Sequence, residues 1–123
     1  MMKKTRHADA EAYVTRDGSV IRELMHPSLH ASLGSRRQSL AEASVAPGER
    51  TALHRHRQSE ELYHIVSGSG QMQLGDEHFA VAAGDTVCIP PGTAHRIHNS
   101  GDTPLKLLCC CSPAYAHDDT ELL

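Results

Sequence analysis

The sequence is poor in aromatic residues. It has no tryptophan, and its rings are Tyr13, Tyr63, Phe79 and Tyr115 alone. Single-stranded nucleic acid is held by stacking bases on such rings, and four scattered rings make no platform. Excess positive charge is missing too. The formal charge is −3 at pH 7, so no phosphate-tracking surface is expected and nucleic acid is set aside as a partner. No apolar run approaches the roughly 18 residues that span a bilayer, which sets a membrane aside. The basic stretch Lys3-Lys4-Thr5-Arg6 is followed by no apolar segment, so it reads as no secretory leader and a cytoplasmic chain is expected. Cysteines spaced as a disulfide framework are also absent. Cys88 stands alone and Cys109, Cys110 and Cys111 are adjacent. Neighbours on a strand point to opposite faces, so reduced thiols are the expectation. Finally, no helical periodicity is sustained after residue 38.

What is present is a succession of short apolar segments in a chain of 123 residues, enough for one core. Runs at 39–46, 60–66, 71–74, 78–82, 86–89, 93–98 and 105–111 are separated by Gly, Pro, Asn or Asp turns. Many short strands with such punctuation predict an all-β sandwich or barrel. Residues 1–30 read as an N-terminal arm, weakly structured to about residue 18, with an edge strand near 19–24. Residues 31–112 read as the barrel and 113–123 as a polar, solvated or subunit-crossing tail. Edge strands need cover, and pairing of the 19–25 strand with a second copy predicts a homodimer.

Ten histidines are conspicuous. On a strand, residues i and i+2 share a face, so His54 and His56 can aim two imidazoles at one point while Arg55 points away. Neighbouring strands can add Glu61 and His95. Three nitrogens and one carboxylate oxygen suit a divalent transition metal: Zn, Fe, Mn, Ni, Co or Cu. His-x-His alone is equally compatible with a solvated His/Arg strand.

The wider pattern resembles the cupin superfamily. That family's first motif, G-x5-H-x-H-x3-4-E-x6-G, is matched by Gly48, His54, His56, Glu61 and Gly68. Its second, G-x5-P-x-G-x2-H-x3-N, is matched by Gly84, Pro90, Gly92, His95 and Asn99. Glu60 also fits the spacing, but the family's Glu-Glu-apolar-aromatic run puts the ligand second, at Glu61. The resemblance implies a single cupin double-stranded β-helix (a jelly-roll barrel), with the metal inside and open to one end.

If Glu61 faces inward, parity sends Tyr63 and Ile65 inward, and Leu62, His64 and Val66 outward. Lys106 outward puts Leu105, Leu107, Cys109 and Cys111 on the inner face. Tyr63 and Cys109 are therefore the candidates for residues beside the metal. A divalent ion on three neutral imidazoles and one carboxylate keeps about +1, which points to a small anionic or chelating metabolite. Water activation, carbonyl polarisation and O₂ chemistry on iron are all open to such a site. The expectation is a metal-dependent enzyme of the dioxygenase, isomerase, decarboxylase or lyase type, or a non-catalytic small-molecule binding or sensing module. No phosphate pocket is marked: there is no Gly-rich strand-to-helix loop, and Arg55 and Arg96 have outward parity.

Overall fold

The computed structural model describes residues 3–31 and 34–123; Met1 and Met2 of the arm, and Ser32 and Leu33 early in the barrel segment, lie outside the described residues. Among the described residues eleven strands follow one another: β1 (Ala12–Val14), β2 (Val20–Met25), β3 (Ser39–Val45), β4 (His54–His56), β5 (Glu60–Ser67), β6 (Ser69–Leu74), β7 (Glu77–Ala82), β8 (Thr86–Ile89), β9 (His95–His98), β10 (Leu105–Ser112) and β11 (Thr120–Leu122). They form two antiparallel sheets, ordered β1-β2-β3-β10-β5-β8 and β11-β4-β9-β6-β7. The architecture is the all-β jelly roll expected from the strand pattern. Among the described residues no helix is long and apolar enough to cross a membrane.

Alternation builds the core. In β5, Glu61, Tyr63 and Ile65 are buried while Leu62 and His64 are exposed. In β10, Leu105, Leu107, Cys109 and Cys111 are buried and Lys106 is exposed. Their inner faces meet Met72, Val81, Ile89 and Ile97 in one hydrophobic cluster, each such side chain contributing about 1.5–3 kcal/mol by burial. The inner face of β3 is different. It carries Ser39, Ala41, Ala43 and Val45, and these small side chains leave a space unfilled next to the core.

The motif residues outside the histidines hold the corners. At Gly68 φ is +85°, and a Cβ there would stand 2.7 Å from the Pro104 carbonyl oxygen, so only glycine fits between β5 and β6. Asn99 is fully buried. Its amide donates to the carbonyls of Val45 (2.9 Å) and Thr103 (2.8 Å), and its oxygen accepts the Gly101 N–H at 3.0 Å.

Both termini are more ordered than their composition suggests. Ala12–Val14, read as part of a weakly structured arm, pairs with β2. β2 thus lies between β1 and β3 and is not free to pair with a second chain. The tail, expected to be solvated or to cross to another subunit, folds back onto its own chain. After a 3-10 turn at His117–Asp119, β11 pairs with β4, setting Thr120 opposite His56 and Leu122 opposite His54. Asp119 accepts the N–H groups of Gln58 and Ser59 at 2.8 and 3.0 Å. Arg55 and Arg57 pair with Glu121 of this tail, at 3.0 and 3.3 Å.

Candidate metal centre

His54 and His56 leave the same face of β4, and both are buried. His95, the first residue of β9, lies directly opposite His54 in the antiparallel pair. Glu61 comes from β5 in the other sheet and points across the interior. One nitrogen or oxygen from each of the four lies within 4.8 Å of the others. The imidazoles pack closely, with centroids of His54 and His95 4.2 Å apart. The structure therefore brings together all four residues that the motifs single out.

Hydrogen bonds set the tautomers. His54 Nδ1 lies 2.8 Å from the Ala52 carbonyl oxygen, and His95 Nδ1 lies 2.9 Å from that of Thr93. A carbonyl only accepts, so both Nδ1 atoms carry the proton and donate. His56 Nδ1 lies 3.0 Å from Thr120 Oγ1, which itself donates to the Ala116 carbonyl at 3.0 Å. With its own hydrogen used, Thr120 accepts from His56. In the neutral rings all three Nε2 atoms then present lone pairs to the interior. Burial, and after it the neighbouring His95, hold His54 below the ordinary histidine range.

Those lone pairs face carboxylate oxygens. His56 Nε2 and His95 Nε2 stand 3.2 and 3.3 Å from Glu61 Oε1. His95 Nε2 is completely buried and has no hydrogen-bond partner among the described residues. Acceptors facing acceptors in a dry site repel unless a cation lies between them. The donor set thus fits a divalent metal, with each ring held from behind through Nδ1.

The space left by the small β3 residues forms a cavity of about 50 Å³ that reaches His54, His56 and Glu61. Tyr63 and Cys109, the expected neighbours of the site, both line it. They are cross-strand partners of each other rather than of Glu61. Burial first, then the Glu61 charge, keeps both the Tyr63 phenol and the Cys109 thiol protonated. The thiol that reaches Glu61 belongs to Cys111, which donates to Oε2 at 3.2 Å. Register explains the difference: Cys111, not Cys109, is paired with Glu61 across β10 and β5.

Sequence reasoning missed three residues besides Cys111. Thr120 arrives from the tail. Asp17, in the turn between β1 and β2, places Oδ2 3.7 Å from His54 Nε2. Glu23, on the inner face of β2, lines the same cavity. The unusual run of small inward residues on β3 was the one sequence signal that something other than core covers that face.

Comparison with known proteins agrees with the fold. The family profile described as "Cupin domain" matches residues 41–111. An uncharacterized protein of Methanocaldococcus jannaschii is 51% identical over 120 residues, which is 98% of this chain and 94% of that protein. Among solved structures, the oxalate decarboxylase of Lactobacillus farciminis in its formate complex superposes with a TM-score of 0.79 at 24% identity over 94% of this chain. This chain spans only 34% of that enzyme's length. A variant of Streptomyces PAC13 with uridine gives 0.79 at 17% identity, covering 100% of this chain and 92% of the other.

Proposed function

The chain belongs to the cupin family, and from that premise we propose that His54, His56, Glu61 and His95 hold one divalent transition metal that anchors a small molecule in the adjoining cavity. The observation that carries this reading is the convergence of three buried imidazole Nε2 atoms on carboxylate oxygens, with His95 Nε2 left without a hydrogen-bond partner among the described residues. A metal bound there would act as a Lewis acid on a ligand's oxygen or nitrogen donor. The chain's own groups do the rest. The Ala52 and Thr93 carbonyls and the Thr120 hydroxyl fix the imidazoles, and Cys111 orients Glu61. The narrow cavity limits the ligand to a few heavy atoms near the metal.

The reaction classes that suit such a site are those of a dioxygenase, isomerase, decarboxylase or lyase. One observation favours the second reading, a non-catalytic binding or sensing module. Burial keeps Tyr63 and Cys109 protonated, so neither is a ready general base.

Metal analysis of unstripped protein tests the reading. One divalent metal per chain is expected, with loss of that metal in His54→Ala and in His95→Ala. Trace metal, unchanged by those substitutions, refutes it. Turnover of small metabolites by the loaded protein, set against binding alone, separates the enzyme from the binding module.

A further inference from the structure

The metal site has a second wall built by the segment preceding the barrel motifs. The turn from Thr15 to Ser19 is closed by the bonds Thr15 N–H to Ser19 O and Gly18 N–H to Thr15 O, both 3.0 Å, with Gly18 at φ +91°. The Asp17 carbonyl accepts the Ala52 N–H at 2.8 Å, which latches the turn to the chain two residues before His54. Asp17 Oδ1 is saturated: it accepts from Thr15 Oγ1 (2.5 Å), Ser19 N (2.9 Å) and Ser19 Oγ (2.7 Å). Oδ2 receives none of these. It faces His54 Nε2 at 3.7 Å, a nitrogen whose ring proton is already on the other side, on Nδ1.

Farther along the same hairpin, Glu23 is nine-tenths buried. Tyr13 donates to its Oε1 at 2.7 Å, while Oε2 is buried and without a partner among the described residues. A buried carboxylate oxygen without a donor is costly. Asp17, Glu23 and Glu61 all line the cavity, and no lysine or arginine does among the described residues. The metal with its four ligands would carry about +1. The formal charges of Asp17 and Glu23 turn that into about −1, which removes the case for an anionic ligand.

We propose that Asp17 and Glu23 make this cavity selective for a small neutral or cationic ligand bearing O–H or N–H donors, which binds the metal at one end and offers hydrogen to these carboxylates. This rests on the metal reading above. It differs from the expectation drawn from the four motif ligands alone, because the two extra carboxylates come from a segment outside the motifs.

Acetate and acetamide test it, being the same size and differing in charge and in the N–H donor. Each is titrated into the cobalt-loaded full chain, with the cobalt visible spectrum as readout, in the native protein, Asp17→Asn and Glu23→Gln. Asparagine keeps an acceptor at Oδ1, so the turn is retained. The affinity ratio of acetate to acetamide is expected to rise at least fivefold in each variant. A ratio within twofold of the native value in both variants, with cobalt content unchanged, overturns the proposal. Glu23→Gln decides alone if Asp17→Asn loses cobalt, since Asp17 faces His54 whereas the hydrogen bond that Glu23 accepts comes from Tyr13. A native chain that takes up no cobalt overturns the metal reading and this proposal together.

Discussion

Thr120→Val removes one oxygen from behind the metal site and keeps the side chain's shape. In the native protein Thr120 Oγ1 accepts the His56 Nδ1 proton at 3.0 Å and passes its own hydrogen to the Ala116 carbonyl at 3.0 Å. Both groups are buried, Thr120 at 6% and His56 at 4% exposure. Valine leaves the Nδ1–H without an acceptor, at a cost of about 1–3 kcal/mol. The ring can relieve this by moving its proton to Nε2, 3.2 Å from Glu61 Oε1, and that proton then occupies the place of the metal. Either way the metal-bound form loses what the bond supplied. At about 1.4 kcal/mol per tenfold, affinity falls roughly 5- to 150-fold, which brackets the roughly 10- to 100-fold seen for groups that orient metal-binding histidines. Competition against a chromophoric chelator measures it, with zinc or cobalt as the metal. Thr120→Ser, which keeps the hydroxyl, is expected to stay within threefold of native. A valine variant that binds metal within twofold of native, while folded by circular dichroism, would refute the argument that the tail sets the His56 tautomer.

Other outcomes follow from the same structure. Asn99→Ala breaks three hydrogen bonds of a buried side chain and is expected to cost about 2–4 kcal/mol; chemical denaturation showing under 1 kcal/mol contradicts this. A saturating metal at about a thousand times its Kd should add roughly 4 kcal/mol of stability, so thermal melts with and without chelator should differ by many degrees, and coincident melts count against the site. Cys88 is exposed whereas Cys109 and Cys111 are buried, their thiols pushed up first by burial and then by Glu61. A thiol reagent at pH 8 should therefore label Cys88 in the folded protein and reach Cys109 and Cys111 only on unfolding; equal labelling rates for all four would be the contrary result.

The legible part of the molecule is the part governed by short-range rules. Alternation in 60–67 and 105–112 shows in the sequence which side chains face inward, and the structure keeps that parity at every position named. Fixed glycines, Pro90 and Asn99 mark the corners because a turn needs particular backbone freedom or a side-chain cap. The fate of the two ends was not legible. Ala12–Val14 and Thr120–Leu122 are three-residue strands, too short to show a period and stabilised by what they pair with.

Parity also stops short of neighbourhood. It put Cys109 and Cys111 on one face without saying which would meet Glu61; the pairing of β10 with β5 selects Cys111. Likewise nothing local marks Asp17 in the polar arm or Glu23 in the edge strand, and only the pairing of β2 alongside the small residues of β3 turns them into the wall of a cavity. The aromatic shortage does not extend to that cavity, since Tyr13, Tyr63 and Tyr115, three of the four rings, line it. The sequence by itself determined the all-β class, because strand parity and turn chemistry act over a few residues, and its resemblance to the cupin motifs singled out the four residues that converge. Tertiary structure alone decided the tautomer of His56, the partner of Glu61 and the charge of the pocket. Those depend on contacts between segments 37 to 64 positions apart, which no local pattern encodes.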